Sequence, residues 1–181
     1  MATNALEKNI AFWHWFPEML VEGLTPEQLA WQPEGHDSSV QFATWHCYRA
    51  EDEIVHALVI KQPTVYASEA WAGRLPAPAG GITPFGNGMS REQIGALQLD
   101  MPQVLAYARA VGDRIGAYLR DLPDPDAAVD VALPFFTQVY PSIATLTKAE
   151  VIAFFSIGHV SEHLGEVQFL KGLLGMKGAP L

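Results

Sequence analysis

Histidine and glutamate residues lie close together near the C-terminal end of the chain, in the segment I-G-H-V-S-E-H-L-G-E-V that spans residues 157–167. If this segment is helical, each residue advances about 100° around the axis, so His159 and His163 lie about 40° apart on one face. Glu166 falls within about 20° of His159 on that face, two turns further on. Two imidazoles one turn apart can bind a single cation. The segment is therefore a candidate metal site.

A third ligand is needed for a stable site, and His46 is the natural candidate. It lies in T-W-H-C-Y-R-A-E-D-E, near the start of a second predicted helix. Facing helices of a bundle can direct ligands to one point. An H-x-x-x-H pair also arises by chance on ordinary amphipathic helices, so spacing alone leaves a polar surface stripe as the alternative.

The segment H-V-S-E-H also matches the inverted zinc-protease pattern H-x-x-E-H, in which the glutamate is the general base. Enzymes of that type take a carboxylate ligand from far downstream, whereas only 18 residues follow His163. They are also much larger proteins. We therefore reject the protease interpretation.

Composition limits the classes of function. The chain has 181 residues, 49% of them hydrophobic, and a formal net charge of -9. This predicts one globular domain over residues 1–181, and the acidic surface disfavours nucleic-acid binding. The single cysteine, Cys47, excludes disulfides within one chain. No signal peptide or membrane-spanning stretch is evident, so we expect a cytoplasmic protein without a membrane partner.

Apolar spacing and capping residues predict four helices, over residues 4–21, 38 or 39 to 60, 90–119 and 147–174. Pro17 predicts a kink or an early end in the first helix. Residues 62–89 are expected to form a long, mostly irregular loop that could cover the site. Residues 121–141 are also expected to be irregular, with a short extended piece within 129–136. The predicted fold class is all-α, a four-helix bundle with long crossover loops.

Three segments resemble the DinB/YfiT-like superfamily of metal-dependent enzymes, and the resemblance covers nearly the full length. They are L-T-P-E-Q-L-A-W-Q-P at 24–33, W-H-C-Y-R-A-E-D-E at 45–53 and, most specifically, G-H-V-S-E-H-L-G-E-V-Q-F-L-K-G-L at 158–173. The resemblance implies a four-helix bundle, often dimeric. It also implies a divalent metal held by one histidine of the second helix and the pair of the last, here His46, His159 and His163.

Three neutral imidazoles leave coordination positions open, as in catalytic metal sites. Such a metal can activate a water or a thiol as a nucleophile. Glu166, or Glu53, could orient an imidazole or transfer a proton, and Glu166 could also be a fourth ligand. Arg49 could bind a substrate carboxylate, or form a surface salt bridge with Glu53. We expect Cys47 to be a buried apolar residue and not the catalytic thiol.

Two functions remain open at this point. The first is a metal-dependent hydrolase or a low-molecular-weight-thiol S-transferase that acts on a small molecule, since relatives include transferases and isomerases that use bacillithiol, mycothiol or glutathione. The second is a non-catalytic metal- or ligand-binding bundle. Zinc or nickel is the leading candidate for the metal and iron the third. A homodimer is expected from the resemblance.

Overall fold

The structure is a computed structural model that describes residues 2–78, 82–130 and 145–178. It is mostly helical, which confirms the predicted all-α class. The helices are α1 (Ala2–Val21), α2 (Pro26–Ala30), α3 (Val40–Val55), α4 (Val65–Ser68), α5 (Arg91–Gly95), α6 (Met101–Arg120), α7 (Lys148–Ala153) and α8 (Val160–Leu173). One antiparallel pair of short strands, β1 (Ala128–Asp130) and β2 (Thr145–Thr147), precedes α7.

The long helices form a four-helix bundle in which α3 is central. α1 packs mainly on α6, and α3 packs on both α6 and α8. α3 is buried on almost every side, with 13 of its 16 residues buried. Polar residues of α3 such as His46, Arg49, Glu51 and Asp52 therefore lie inside the bundle.

Local capping determines where the two helices of the candidate site begin. The Ser39 hydroxyl accepts a hydrogen bond from the Phe42 amide at the start of α3. At the start of α7, the Thr147 hydroxyl accepts from the Glu150 amide, and the Glu150 carboxylate accepts from the Thr147 amide. This reciprocal pair satisfies two amides that the helix itself leaves unpaired. Both predicted helix starts are confirmed.

The prediction of one helix over residues 90–119 is wrong. α5 ends at Gly95 and α6 begins at Met101, with Asp100 in a non-helical conformation between them. Pro102 explains the break, because proline has no amide hydrogen and its ring clashes with the carbonyl four residues earlier in a continuous helix. In the first turn of a new helix neither problem arises, and Pro102 lies there.

The C-terminal helix runs without a break from Lys148 to Leu173, but its middle part is wider than an α-helix. The π-helical segment Phe154–His159 joins α7 to α8. Buried residues continue along the helix, with Val151 and Ile152 before this segment, Phe155 and Ser156 within it and Val160 and Leu164 after it. A π turn holds one residue more than an α-helical turn. One face of the helix thus stays against the bundle along its whole length.

The remaining predictions are met in part. α1 continues past Pro17 to Val21, so the helix does not end early there. The π-helical segment His56–Ile60 extends α3 to the predicted end of that helix. The loop after it contains α4 and a 3₁₀ turn (Trp71–Gly73) and is otherwise irregular in its described part. Of the extended piece predicted within 129–136, only the start coincides with β1, and residues 131–144 lie outside the described residues. No described helix combines the length and apolar character needed to cross a membrane.

Candidate metal centre

The structure brings the three predicted histidines together between α3 and the C-terminal helix. One ring nitrogen each from His46, His159 and His163 lies within 4.8 Å of the other two. The ring centroids are 4.6 Å apart for His159 and His163, 4.7 Å for His46 and His163, and 5.5 Å for His46 and His159. Within the part of the chain that the structure describes, this is the group of side chains suited to hold a metal ion.

A backbone carbonyl fixes the orientation of His46. Its Nδ1 lies 2.6 Å from the carbonyl oxygen of Phe85. Because a carbonyl can only accept, the proton of the neutral ring must be on Nδ1. The lone pair is then on Nε2, the nitrogen on the far side of the ring from Phe85. Phe42 lies nearly parallel to the imidazole, with the centroids 5.6 Å apart, and restricts the ring further.

Glu166 plays the same part for His163. Its Oε2 accepts a hydrogen bond from Nδ1 of His163 at 2.9 Å, so Nε2 of His163 is free to ligate. Burial raises the pKa of the Glu166 carboxyl, but the hydrogen bond and charge of His163, together with Ser38 and His36, outweigh burial, and the pKa lies below its ordinary value. A histidine ligand that donates its other nitrogen to a carboxylate is the usual arrangement at metal sites. The geometry thus supports an orienting role for Glu166.

His159 differs from the other two rings because its Nδ1 is buried and has no hydrogen-bond partner among the described residues. A buried ring nitrogen without a partner is costly to leave unsatisfied. A metal ligated by His159 offers one way to offset that cost.

The site favours neutral imidazoles, the form that binds metal. Burial, and then the neighbouring His163, lower the pKa of His46 to about 4. Burial, and then His163 and His46, lower the pKa of His159 to about 3. Protons therefore do not compete for these two nitrogens near neutral pH. The chemistry of the donor set fits a divalent metal.

Arg49 and Glu53 form an ion pair one to two turns along α3 from His46. Their side chains are 2.8 Å apart. Arg49 is buried, with its guanidinium 3.8 Å from the centre of the Tyr66 ring and a hydrogen bond to the Tyr107 hydroxyl. The hydrogen bonds of both side chains in the described region go to residues other than the three imidazoles. The pair is not the surface salt bridge that the sequence suggested, because Arg49 is in the core.

Cys47 lies in the core, as expected for a small apolar residue. Its Sγ contacts the Thr44 carbonyl, and burial raises the pKa of the thiol well above its ordinary value. Such a thiol is a poor nucleophile. The structure thus places no activated thiolate of this chain at the candidate site.

One element of the site was missed by sequence reasoning. The loop that contains Phe85 comes back to α3 and supplies the acceptor for His46. The sequence carries a signal only in retrospect, in the closely spaced glycines Gly86 and Gly88 of P-F-G-N-G-M. The sequence predicts a loop over residues 62–89 that could cover the site, but not this contact.

Comparison with known proteins agrees with the fold. The sequence profile described as the DinB superfamily matches residues 18–167. The chain belongs to the DinB superfamily. The DinB fold is also seen in a solved protein, the "conserved protein of locus from Enterococcus faecalis", which is similar with a TM-score of 0.74 over 96% of this chain and 97% of that chain. At 16% identity this similarity shows the fold alone. No match was found among curated proteins.

Proposed function

We propose that this DinB-superfamily protein binds one divalent metal ion through His46, His159 and His163 and uses it in a reaction on a small molecule. The reaction class is hydrolysis or S-transfer from a low-molecular-weight thiol. The observation that carries the proposal is the convergence of three imidazole nitrogens from two helices on one point. Zinc and nickel are the leading metals and iron the third, because all suit imidazole ligands.

A metal bound by three neutral imidazoles supplies Lewis acidity, which makes a water or thiol nucleophilic near neutral pH. The chain supplies the orientation. The Phe85 carbonyl and the Glu166 carboxylate hold the Nδ1 protons of His46 and His163. Glu166 is also the acidic group nearest the imidazoles, and its partial exposure lets it exchange a proton with solvent. Because Cys47 is buried, a thiol used in the reaction would come from a cosubstrate.

A non-catalytic metal-binding bundle is the second candidate. The structure contains two large hollows, of about 390 and 510 Å³, beside α1 and α6. Neither is lined by a histidine of the candidate site. A catalytic site needs space for a substrate next to the metal, so the two candidates differ in whether a small molecule can reach the three imidazoles.

Elemental analysis of protein purified without a histidine tag tests the first step. We expect about one equivalent of divalent metal in the parent, and none in a His159→Ala variant that remains helical by circular dichroism. Loaded protein is then incubated with glutathione, bacillithiol or mycothiol and a panel of electrophiles, with and without thiol. Turnover that needs the metal supports the enzyme. Stoichiometric metal without turnover or ligand-induced change in its spectrum supports the binding module.

We also propose that the protein forms a homodimer. Four large apolar side chains are about half exposed, Phe12 and Trp15 on α1 and Phe169 and Leu173 on α8. α1 and α8 are neighbours in the bundle. Exposed apolar groups on adjacent helices are typical of an interface. Light scattering coupled to size exclusion would give twice the 19.8 kDa chain mass for the dimer, and the chain mass would contradict it.

A further inference from the structure

The loop over residues 83–89 is held in a compact turn by its own backbone. The Gly86 amide donates to the Thr83 carbonyl at 2.9 Å, and the Met89 amide donates to the Gly86 carbonyl at 3.2 Å. The Thr83 hydroxyl accepts from the Asn87 amide at 2.8 Å. The turn therefore presents the carbonyls of residues 84 and 85 in a defined direction.

Those two consecutive carbonyls are bound by side chains of α3. The Pro84 carbonyl accepts from Nη2 of Arg49 at 3.4 Å, and the Phe85 carbonyl accepts from Nδ1 of His46 at 2.6 Å. The Phe85 carbonyl and the Gly86 amide belong to one peptide group. That group is thus bound on both sides, to His46 through its oxygen and to Thr83 through its nitrogen.

Gly86 is the residue that lets this peptide approach α3. Its φ is +92°, a region that side-chain-bearing residues rarely adopt. A Cβ added there would lie 2.9 Å from Cζ3 of Trp45 and 3.0 Å from Cε2 of Phe42. Gly88 has nearly the same φ, +94°, but a Cβ added to it would meet nothing within 4 Å. The two glycines share a backbone conformation and differ in the space beside them.

We propose that Gly86 is a positioning residue of the candidate metal site. It lets the Phe85–Gly86 peptide close on α3, where the Phe85 carbonyl sets the ring orientation and tautomer of His46 and so directs Nε2 toward His159 and His163. The proposal rests on the proposed function, because the orientation of His46 matters for binding a metal. The contact it describes is also testable in metal-free protein, because it concerns the tautomer of His46.

The test compares Gly86→Ala with Gly88→Ala. Both substitutions place a side chain at positive φ, but only the first collides with Trp45 and Phe42. In metal-free protein, long-range ¹H–¹⁵N NMR of His46 should show the Nδ1–H tautomer in the parent and in Gly88→Ala. A mixture of tautomers is expected in Gly86→Ala. Zinc affinity, measured by competition with a chelator, should fall about 10- to 100-fold in Gly86→Ala and less than about threefold in Gly88→Ala.

Three outcomes would overturn the proposal or separate it from the proposed function. Equal weakening of zinc binding by both alanines, or an unchanged His46 tautomer in Gly86→Ala, would overturn it. A parent that binds no zinc but shows the Nδ1–H tautomer lost only in Gly86→Ala would refute the metal site and support the positioning role. If Gly86→Ala does not fold, Gly86→Asn places the same Cβ against Trp45 and Phe42 with a residue that tolerates positive φ better, and an unchanged tautomer there would overturn the proposal.

Discussion

His14 and the three histidines of the candidate metal centre lie in the same bundle, yet their surroundings are opposite. Both nitrogens of His14 face oxygen acceptors, with Nδ1 2.7 Å from the Ile10 carbonyl and Nε2 2.8 Å from the Glu51 carboxylate. The pair joins α1 to α3 and is almost completely buried. In the metal centre, by contrast, ring nitrogens face one another.

The difference shows that neighbours determine what a buried histidine does. Burial lowers the pKa of His14, but the Glu51 carboxylate and its hydrogen bond outweigh burial and the pKa is raised. Burial and neighbouring imidazoles lower the pKa values of His46 and His159. An imidazole between two acceptors holds a proton and acts as an internal cation, whereas imidazoles that face each other keep free lone pairs and suit a metal.

The largest expected effect is on metal content. His159→Ala should remove stoichiometric metal, because two imidazoles remain and the third ligand is lost. The His14→Gln variant should retain about one equivalent of metal, because His14 lies outside the site. Elemental analysis of both purified variants checks this, at a temperature where each is folded. Metal retained in His159→Ala would show that the three rings do not bind it together.

For the free energy of unfolding, the substitution of His14 should have the larger effect and that of His159 the smaller. His14→Ala leaves the Glu51 carboxylate buried without its partner, and we expect a loss of about 3–5 kcal/mol in the free energy of unfolding. His159→Ala in metal-free protein removes a ring whose Nδ1 has no described partner, and the expected change is within about 1 kcal/mol. Urea denaturation gives both values. Adding Glu51→Gln to His14→Ala should recover part of the lost stability. A loss under about 1 kcal/mol in His14→Ala would contradict a strongly stabilising His14–Glu51 pair.

The pH dependence should have opposite signs in the two regions. His46 and His159 stay neutral in the folded state down to pH about 4 and 3, while the unfolded chain takes up protons near its ordinary value of 6.5. These two histidines therefore lower the free energy of unfolding of the metal-free protein as pH falls below about 6.5. Urea denaturation at several pH values should show a smaller fall in His159→Ala than in the parent.

The contribution of His14 has the other sign, because its folded pKa is raised. The stabilisation is fully present below the ordinary value of 6.5 and is lost as pH rises through the higher folded pKa. Glu51 on α3 and Asp113 on α6 are the acidic groups that raise it. The difference in stability between the parent and His14→Ala should shrink as pH rises above 6.5. A stability difference that grows above pH 6.5 would contradict a raised pKa of His14 in the folded state.

The smallest expected effect is that of Cys47→Ala. The thiol is buried one residue from a proposed ligand, but its Sγ contacts the Thr44 carbonyl and not an imidazole. Metal content should be unchanged and turnover should stay within a few-fold of the parent, as measured by the same assays. Complete loss of turnover with metal and fold intact would instead identify a cysteine-dependent enzyme.

Local signals in the sequence were enough for part of this fold. The starts of α3 and α7 could be predicted because the capping residues Ser39 and Thr147 act within one helical turn. Apolar spacing does not predict the break before α6, although the missing amide hydrogen of Pro102 favours the start of a new helix there. Local sequence signals therefore predict where a helix begins better than they predict whether it continues.

The candidate site was predictable to a similar extent. The spacing of His159 and His163 is local, His46 was a candidate because facing helices of a bundle can direct ligands to one point, and the family resemblance supported it. The Phe85 acceptor could not be predicted, because every residue has a carbonyl and the loop's return to α3 is a tertiary contact across 39 residues. The same holds for the His14–Glu51 pair, which depends on how closely α1 approaches α3.

The π-helical segment Phe154–His159 has a consequence for comparing related chains. It holds one residue more than an α-helix would need between the same two ends. A relative that lacks one residue between Phe155 and Val160 could close the same span as a regular α-helix and keep both ends in phase. We therefore expect the deletion of one residue to be tolerated at this point while the H-x-x-x-H spacing is retained. An alignment that forbids gaps inside helices would misregister such chains on one side of the segment.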